Sequence, residues 1–157
     1  YSSAASDVYK RQVEELRSKM NELASTLPEY ATVMGMYGVG KTFGPQLIAE
    51  IGDISNFSHR EALTAFAGVD PGVDQSGTHN SKSNKASKCG SNRLRKTLFQ
   101  IMSTLLQTAP EDDKIYQFLV KKRAEGKPYY VYMTAGANKF LRIYYGKVKE
   151  CIRNLEQ

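Results

Sequence analysis

Ser76 is the residue in this chain whose setting most suggests chemistry. It stands between Gln75 and Gly77, at the end of the Gly/Pro-rich run Ala67-Gly68-Val69-Asp70-Pro71-Gly72-Val73-Asp74. From Gln75 to Pro110 there is no acidic residue, and the same stretch holds the six cations Lys82, Lys85, Lys88, Arg93, Arg95 and Lys96. Cations bind phosphates and release their counterions, and a presented hydroxyl supplies an attacking oxygen. The pattern therefore suits a nucleophile acting on a polyanion. On composition alone it equally suits a solvated basic loop with one turn-forming serine.

Three other constellations carry chemistry. Gly35-Met36-Tyr37-Gly38-Val39-Gly40-Lys41-Thr42 fits the phosphate-loop pattern GxxxxGK[ST], in which amides and Lys41 would cradle a nucleotide. Such a loop must follow a buried strand, and the preceding residues 29–34 contain no β-branched run. The same letters fit the turn of a helix-hairpin-helix, with Gly38 and Gly40 making the turn and Lys41 beside a DNA phosphate. A purely structural turn between two helices fits them as well. Ser91 or Asn92 can cap the next helix, so that Lys88, Arg93 and Arg95 converge with free amides on one phosphate. Tyr129, Tyr130, Tyr132, Tyr144 and Tyr145 raise a tyrosine nucleophile assisted by Arg142, against the plainer reading of packing with wet hydroxyl ends. His79, three residues after Ser76, is a possible base or a solvated histidine.

The elements that must position these groups follow from periodicity. Val13, Leu16, Met20, Leu23 and Leu27 recur at near-heptad spacing and predict an amphipathic, coiled-coil-like helix ended by Pro28. A short helix is expected around residues 29–34. Leu47, Ile48 and Ile51 mark another, with Pro45 in its first turn, and Ser58 with Glu61 forms the capping box of a helix carrying Leu63, Ala65 and Phe66. Residues 68–90 lack periodicity and read as a long loop, of a length that is usually either functional or disordered. Leu94, Leu98, Ile101, Met102 and Leu105 form a helical stripe ending near Pro110. Asp112 or Asp113 starts a helix that Gly126 ends, and Pro128 opens a long final helix. The fold class is mainly α, with strands expected only as short pieces.

At 157 residues with a net charge of +6, the chain can form one core, and its concentrated excess charge favours nucleic acid as partner. No apolar run approaches the roughly 20 residues of a membrane span, so no membrane partner is expected. Cys89 and Cys151, 62 positions apart, and the two histidines His59 and His79 give no zinc spacing; the cysteines read as reduced thiols of a cytoplasmic protein. Residues 1–12 read as an adapter-derived, non-native segment, and the natural chain is expected to start well upstream.

Tyr37-Gly38-Val39-Gly40, Ala49-Glu50-Ile51-Gly52-Asp53, Phe57, Leu63-Thr64-Ala65-Phe66-Ala67-Gly68-Val69-Asp70-Pro71, Gln75-Ser76-Gly77 and Lys88-Cys89-Gly90-Ser91-Asn92-Arg93-Leu94-Arg95-Lys96 occur in an order that resembles the C-terminal domain of a transposase family of bacterial insertion sequences, the 116/110/902 type. The resemblance spans about Tyr30 to Tyr145, and Gly44 departs from the alanine usual in that hairpin. It implies a DNA strand-exchange enzyme in which Ser76 forms a phosphoserine link to DNA. It also implies an N-terminal RuvC-like domain, absent from this chain, whose four acidic residues hold Mg2+. No metal or cofactor is expected in the present residues. Some members of the family are guided by a bridge RNA, so a structured guide RNA, DNA and a homo-oligomeric assembly are the implied partners, in a cytoplasmic, nucleoid-associated setting. Residues 13–28 would end a helical linker, 29–152 form the serine domain, and 153–157 a tail. The nucleic-acid contacts expected are Gly38, Gly40, Lys41, Lys82, Lys85, Lys88, Arg93, Arg95 and Lys96. The competing readings are a non-catalytic helix-hairpin-helix DNA-binding module and, resting only on the phosphate-loop letters, a nucleotide hydrolase.

Overall fold

Apolar residues spaced three and four apart have to be buried on one side of a helix, and the fold is the packing of those stripes. The structure, a computed structural model, describes residues 3–71, 75–76, 79–80 and 86–157, with only the backbone described at 75–76 and 79–80. In chain order the elements are α1 (Ser3–Ala24), α2 (Tyr30–Met34), α3 (Gly40–Ile51), a 3₁₀ turn (Ile54–Asn56), α4 (Arg60–Ala67), β1 (Gln75–Ser76), β2 (His79–Asn80), α5 (Asn92–Thr108), α6 (Lys114–Ala124) and α7 (Tyr129–Leu155). The mainly α class expected from periodicity is what the chain adopts. Among the described residues no helix is long and apolar enough to cross a membrane.

α7 is the spine. It packs against α2, α4, α5, α6 and the 3₁₀ turn. Its inward residues Met133, Ala137, Phe140, Leu141, Tyr144 and Val148 are buried, and they meet the buried stripe Leu94, Leu98, Ile101, Met102 and Leu105 of α5. Gly136 permits the close approach of three helices. A Cβ there would run into Leu119 of α6 and lie 3.2 Å from the sulfur of Met102 on α5. On the other flank α3 packs against α1, α2 and α5. The amide of Gln46 crosses from α3 to donate to Thr97 Oγ1 at 2.9 Å, a buried hydroxyl that itself donates to Arg93 O at 3.1 Å.

Several boundaries agree with the sequence. Ser91 caps α5 by accepting from the Leu94 amide at 3.2 Å. Asp113 caps α6, accepting from Ile115 and Tyr116 at 2.9 and 2.8 Å. Gly126, at φ 75°, follows α6, and Pro128 precedes α7.

Three details differ. The cap of α4 is His59, not Ser58: its Nδ1 accepts from the Ala62 amide at 3.1 Å, while Glu61 turns to Arg60 and Arg142. α3 starts at Gly40, so Pro45 sits inside it and not in its first turn. The helix is already closed upstream by the Phe43 amide donating to Val39 O at 3.2 Å, and Pro45 then removes one bond, to the carbonyl of exposed Lys41. α1 begins at Ser3 and ends at Ala24, so residues 3–12 extend the expected helix and Leu27 lies beyond it. Only Ala24 of α1 is buried, and its stripe stays largely uncovered, with Leu16 61% and Leu23 72% exposed.

This division between spine and periphery sets the expected response to truncation. Phe140→Ala should lower the unfolding free energy by about 3–5 kcal/mol, whereas Leu23→Ala should change it by no more than about 0.5 kcal/mol. Urea unfolding followed by far-UV circular dichroism measures both; a large loss for Leu23→Ala would show that the α1 stripe is covered in solution.

Candidate nucleic-acid interface and serine hairpin

The segment carrying Ser76 leaves the helical body at the end of α4 and returns at the start of α5. Its base is tied in four places. The Pro71–Ala86 pair forms an antiparallel bridge. The Ser87 amide donates to Asp70 O at 3.0 Å, and the Ser87 hydroxyl donates to the Asp70 carboxylate at 2.6 Å. The Ser91 amide donates to Phe66 O at 2.8 Å. Gly90, at φ 136°, lies so close to the Phe66 carbonyl that a Cβ could not be fitted. Within the segment β1 and β2 pair antiparallel, with Gln75 opposite Asn80 and Ser76 opposite His79. A two-residue connection, 77–78, lies outside the described residues, as do Lys82 and Lys85. The expected long loop thus contains a short ribbon, and Ser76 and His79 share one register position on it.

α5 emerges directly from this base. Its first turn places Arg93 and Lys96 in solvent, with Lys88 exposed just before it. Arg95 is different. One arm of its guanidinium donates to Ala67 O at 3.2 Å and the other to the Asn92 side chain, so it fastens α5 to the end of α4. Asp70, at the base of the segment, has its carboxylate tied to Ser87.

The Gly38–Gly40 segment joins two helices, α2 and α3. A phosphate loop needs a strand where α2 lies, so the nucleotide-hydrolase reading loses its structural context. Val39 is buried beneath the turn, and Gly38, at φ 80°, packs against α5 where a Cβ would meet Ile101 O at 2.7 Å. Gly40, at φ 56°, faces open space. Val39 offers α3 no side-chain cap, so the first amides of α3 stay available beside exposed Lys41. The hairpin turn and the basic start of α5 flank the same helix, α5, at its two ends.

The tyrosines separate into three kinds. Tyr144 is buried; burial, with the charge of Glu29 adding to it, pushes its hydroxyl well above its ordinary value. A hydroxyl held protonated in the core is no nucleophile. Tyr145 donates to Phe57 O at 3.0 Å. Tyr132 is buried, but Tyr129 and Tyr130 are 47% and 74% exposed, so packing explains only part of the set. Nothing in the sequence separates the exposed pair from the other three, because a tyrosine at a helix start has no periodicity to reveal its face. Among the described residues no group of three or more His, Cys, Asp or Glu side chains converges as a metal site would.

The two glycines of the turn are expected to respond differently. Gly40→Ala costs only the left-handed backbone, roughly 1–2 kcal/mol. Gly38→Ala adds overpacking against α5 and should lose at least twice as much. Thermal unfolding of both variants checks the order, and equal losses would contradict the packing of the turn on α5.

Comparison with known proteins adds an independent finding. The sequence profile of the Transposase IS116/IS110/IS902 family matches residues 30–117. Among curated proteins, the chain is 29% identical over 132 residues to a pilin gene-inverting protein of Moraxella bovis, covering 84% of this chain and 38% of that protein. It is 28% identical over 113 residues to the pilin gene-inverting protein of Moraxella lacunata, covering 72% and 34%. The chain therefore spans little more than a third of the length of these relatives.

Proposed function

The chain belongs to the Transposase IS116/IS110/IS902 family, and from that premise we propose that it is the DNA-binding, serine-bearing part of an enzyme that exchanges DNA strands. The observation that carries this reading is the tied base of the Ser76 segment. Asp70, Pro71, Ala86 and Ser87 close it where the basic first turn of α5 begins. A nucleophile and the cations that hold its phosphate are thereby delivered from one anchor.

The chemistry is a transesterification. Ser76 Oγ attacks a DNA phosphorus, an Oγ–P bond forms, and the bond from phosphorus to a deoxyribose oxygen breaks. The serine loses a proton and the departing oxygen gains one, so the step is proton-neutral. Attack by the hydroxyl of a second strand reverses it and restores the serine. One phosphodiester replaces another, so no nucleotide hydrolysis is required. Lys88, Arg93 and Lys96, with Lys82 and Lys85, stabilise the extra negative charge of the five-coordinate phosphorus, and Lys41 with the amides of α3 holds backbone further along. Serine is a weak nucleophile without activation; an acidic RuvC-like domain outside this chain would hold the Mg2+ that supplies it. Joining two duplexes needs a serine for each strand, which is the reason to expect a homo-oligomer, and a structured guide RNA would select the DNA. A non-catalytic helix-hairpin-helix module is the reading that stands if Ser76 proves dispensable.

In the protein that carries both domains, Ser76→Ala should abolish covalent DNA attachment and leave DNA affinity within about twofold, because one oxygen is lost and no cation. Suicide DNA substrates trap the adduct and mass spectrometry maps it, with Ser81, Ser83, Ser87 and Ser91 alanine variants as controls. Attachment at any other residue, or undiminished exchange by Ser76→Ala, refutes the assignment.

Binding by the present chain should depend steeply on salt. With Arg95 held by Ala67 and Asn92, five cations of the segment remain, and the slope of log affinity against log salt should be about −4. Fluorescence anisotropy between low and moderate salt measures it, and a flat response refutes the phosphate-binding role of the segment.

A further inference from the structure

The outward face of α5 carries a groove whose aromatic residues the strand-exchange reading does not use. Phe43, Lys96, Phe99, Gln100, Ser103 and Thr104 line it, with no acidic side chain among them. At one side the ring of Phe99 meets that of Tyr130 across 6.4 Å, at 46°. Tyr129 stands edge-on to Tyr130 at 5.3 Å and to buried Tyr132 at 5.6 Å, so the exposed rings are propped from the core. At the other side Phe43 and Thr104 also border the depression around Gly38, Gly40 and Lys41. The two depressions are neighbours that share Phe43 and Thr104 in their walls.

We infer that this groove is a binding surface for unpaired DNA, with Tyr130 as the platform on which one flipped-out base stacks and Lys96 as the partner of its phosphate. The inference rests on the strand-exchange reading, which requires locally unpaired strands, and extends it to the residues that receive them. Two observations support it. Tyr130 leaves most of its ring in water although its neighbours Phe99 and Tyr129 could have enclosed it. An exposed apolar surface of this kind marks a contact. The charge suits a polyanion: Lys96 lines the groove with no acid beside it, and in sequence residues 121–128, which lead into Tyr129, carry Lys121, Lys122, Arg123 and Lys127 against Glu125, which is bound to Lys122 at 2.9 Å. Aromatic rings beside a basic track are how proteins hold single strands without regard to sequence, since every base has a face to stack. The 46° between Phe99 and Tyr130 leaves no parallel slot between them, so the base lies on the outer face of Tyr130, with Phe99 as its wall.

The test uses the present chain and a single-stranded thymine oligodeoxynucleotide carrying one 2-aminopurine, whose fluorescence is quenched on stacking. Wild-type chain should bind and quench it. Tyr130→Ala should weaken binding roughly tenfold and abolish the quench, Tyr130→Phe should retain both, and a duplex of equal length should bind all three within twofold. Lys96→Gln should lower the single-strand salt slope by about 0.7. Circular dichroism keeps the comparison to folded protein, which the exposure of Tyr130 favours. Unchanged binding and quenching by Tyr130→Ala overturns the platform while leaving strand exchange standing. Preference by tenfold or more for the oligoribonucleotide of the same sequence overturns the assignment to DNA. A wild-type chain that binds neither single strand nor duplex overturns this surface together with the DNA reading beneath it.

Discussion

The close approach of α7 to α5 and α6 is the constraint on which the rest of the molecule depends. It requires a residue without a side chain at Gly136, because Leu119 and Met102 occupy the space a Cβ would take. It also requires the long unbroken apolar stripe of α7, from Met133 to Val148, to be filled on every facing helix. Dense packing of this sort tolerates little change in volume. The reward is a rigid α5, and α5 is the element that presents everything of functional interest. Its inner stripe is locked against α7, its start receives the serine segment, its middle carries Phe99 and Lys96, and its far half supports the Gly38 turn.

α5 also begins where a long polar stretch of the chain ends. Between Pro71 and Ala86 the sequence is polar apart from Val73, and the two ends of that stretch are tied together. Those ends are held by groups whose tying role the sequence does not mark. Arg95, expected to bind phosphate, spends its guanidinium on Ala67 and Asn92. Asp70, an acid in a basic neighbourhood, serves as acceptor for Ser87. The surface cations are then left to Lys88, Arg93 and Lys96, with a helix start that is not neutralised by any acid in its first turn. The positive potential there is therefore a property of where α5 begins as much as of how many lysines precede it.

Position tells against a tyrosine nucleophile at Tyr144 or Tyr145 and against the phosphate loop. A tyrosine nucleophile at Tyr144 would have to ionise inside the core, and at Tyr145 it would have to give up its bond to Phe57. The phosphate-loop letters occupy a helix–turn–helix whose turn leans on Ile101 and Leu105, a surface that has no place in a strand-to-helix cradle.

Periodicity alone determined the helices, because burying one face of a helix demands apolar residues at three- and four-residue steps and nothing further. Local hydrogen-bonding chemistry narrowed two caps to Ser91 or Asn92 and to Asp112 or Asp113, and the ordered motifs carried the family. Where several local solutions were close in energy, only the tertiary structure chose. His59 replaces Ser58 as cap because its ring nitrogen reaches the Ala62 amide. Pro45 is accommodated inside α3 because the turn before it is already closed. Residues 3–12 join α1 although none of them is buried, a continuation that propensity permits and apolar patterning does not mark. The exposure of Tyr130, the inward turn of Arg95 and the pairing of Ser76 with His79 each depend on partners far away in sequence or across a turn. No spacing within one segment encodes such partners, since they are fixed by which faces the packed helices leave to each other and which they leave to water.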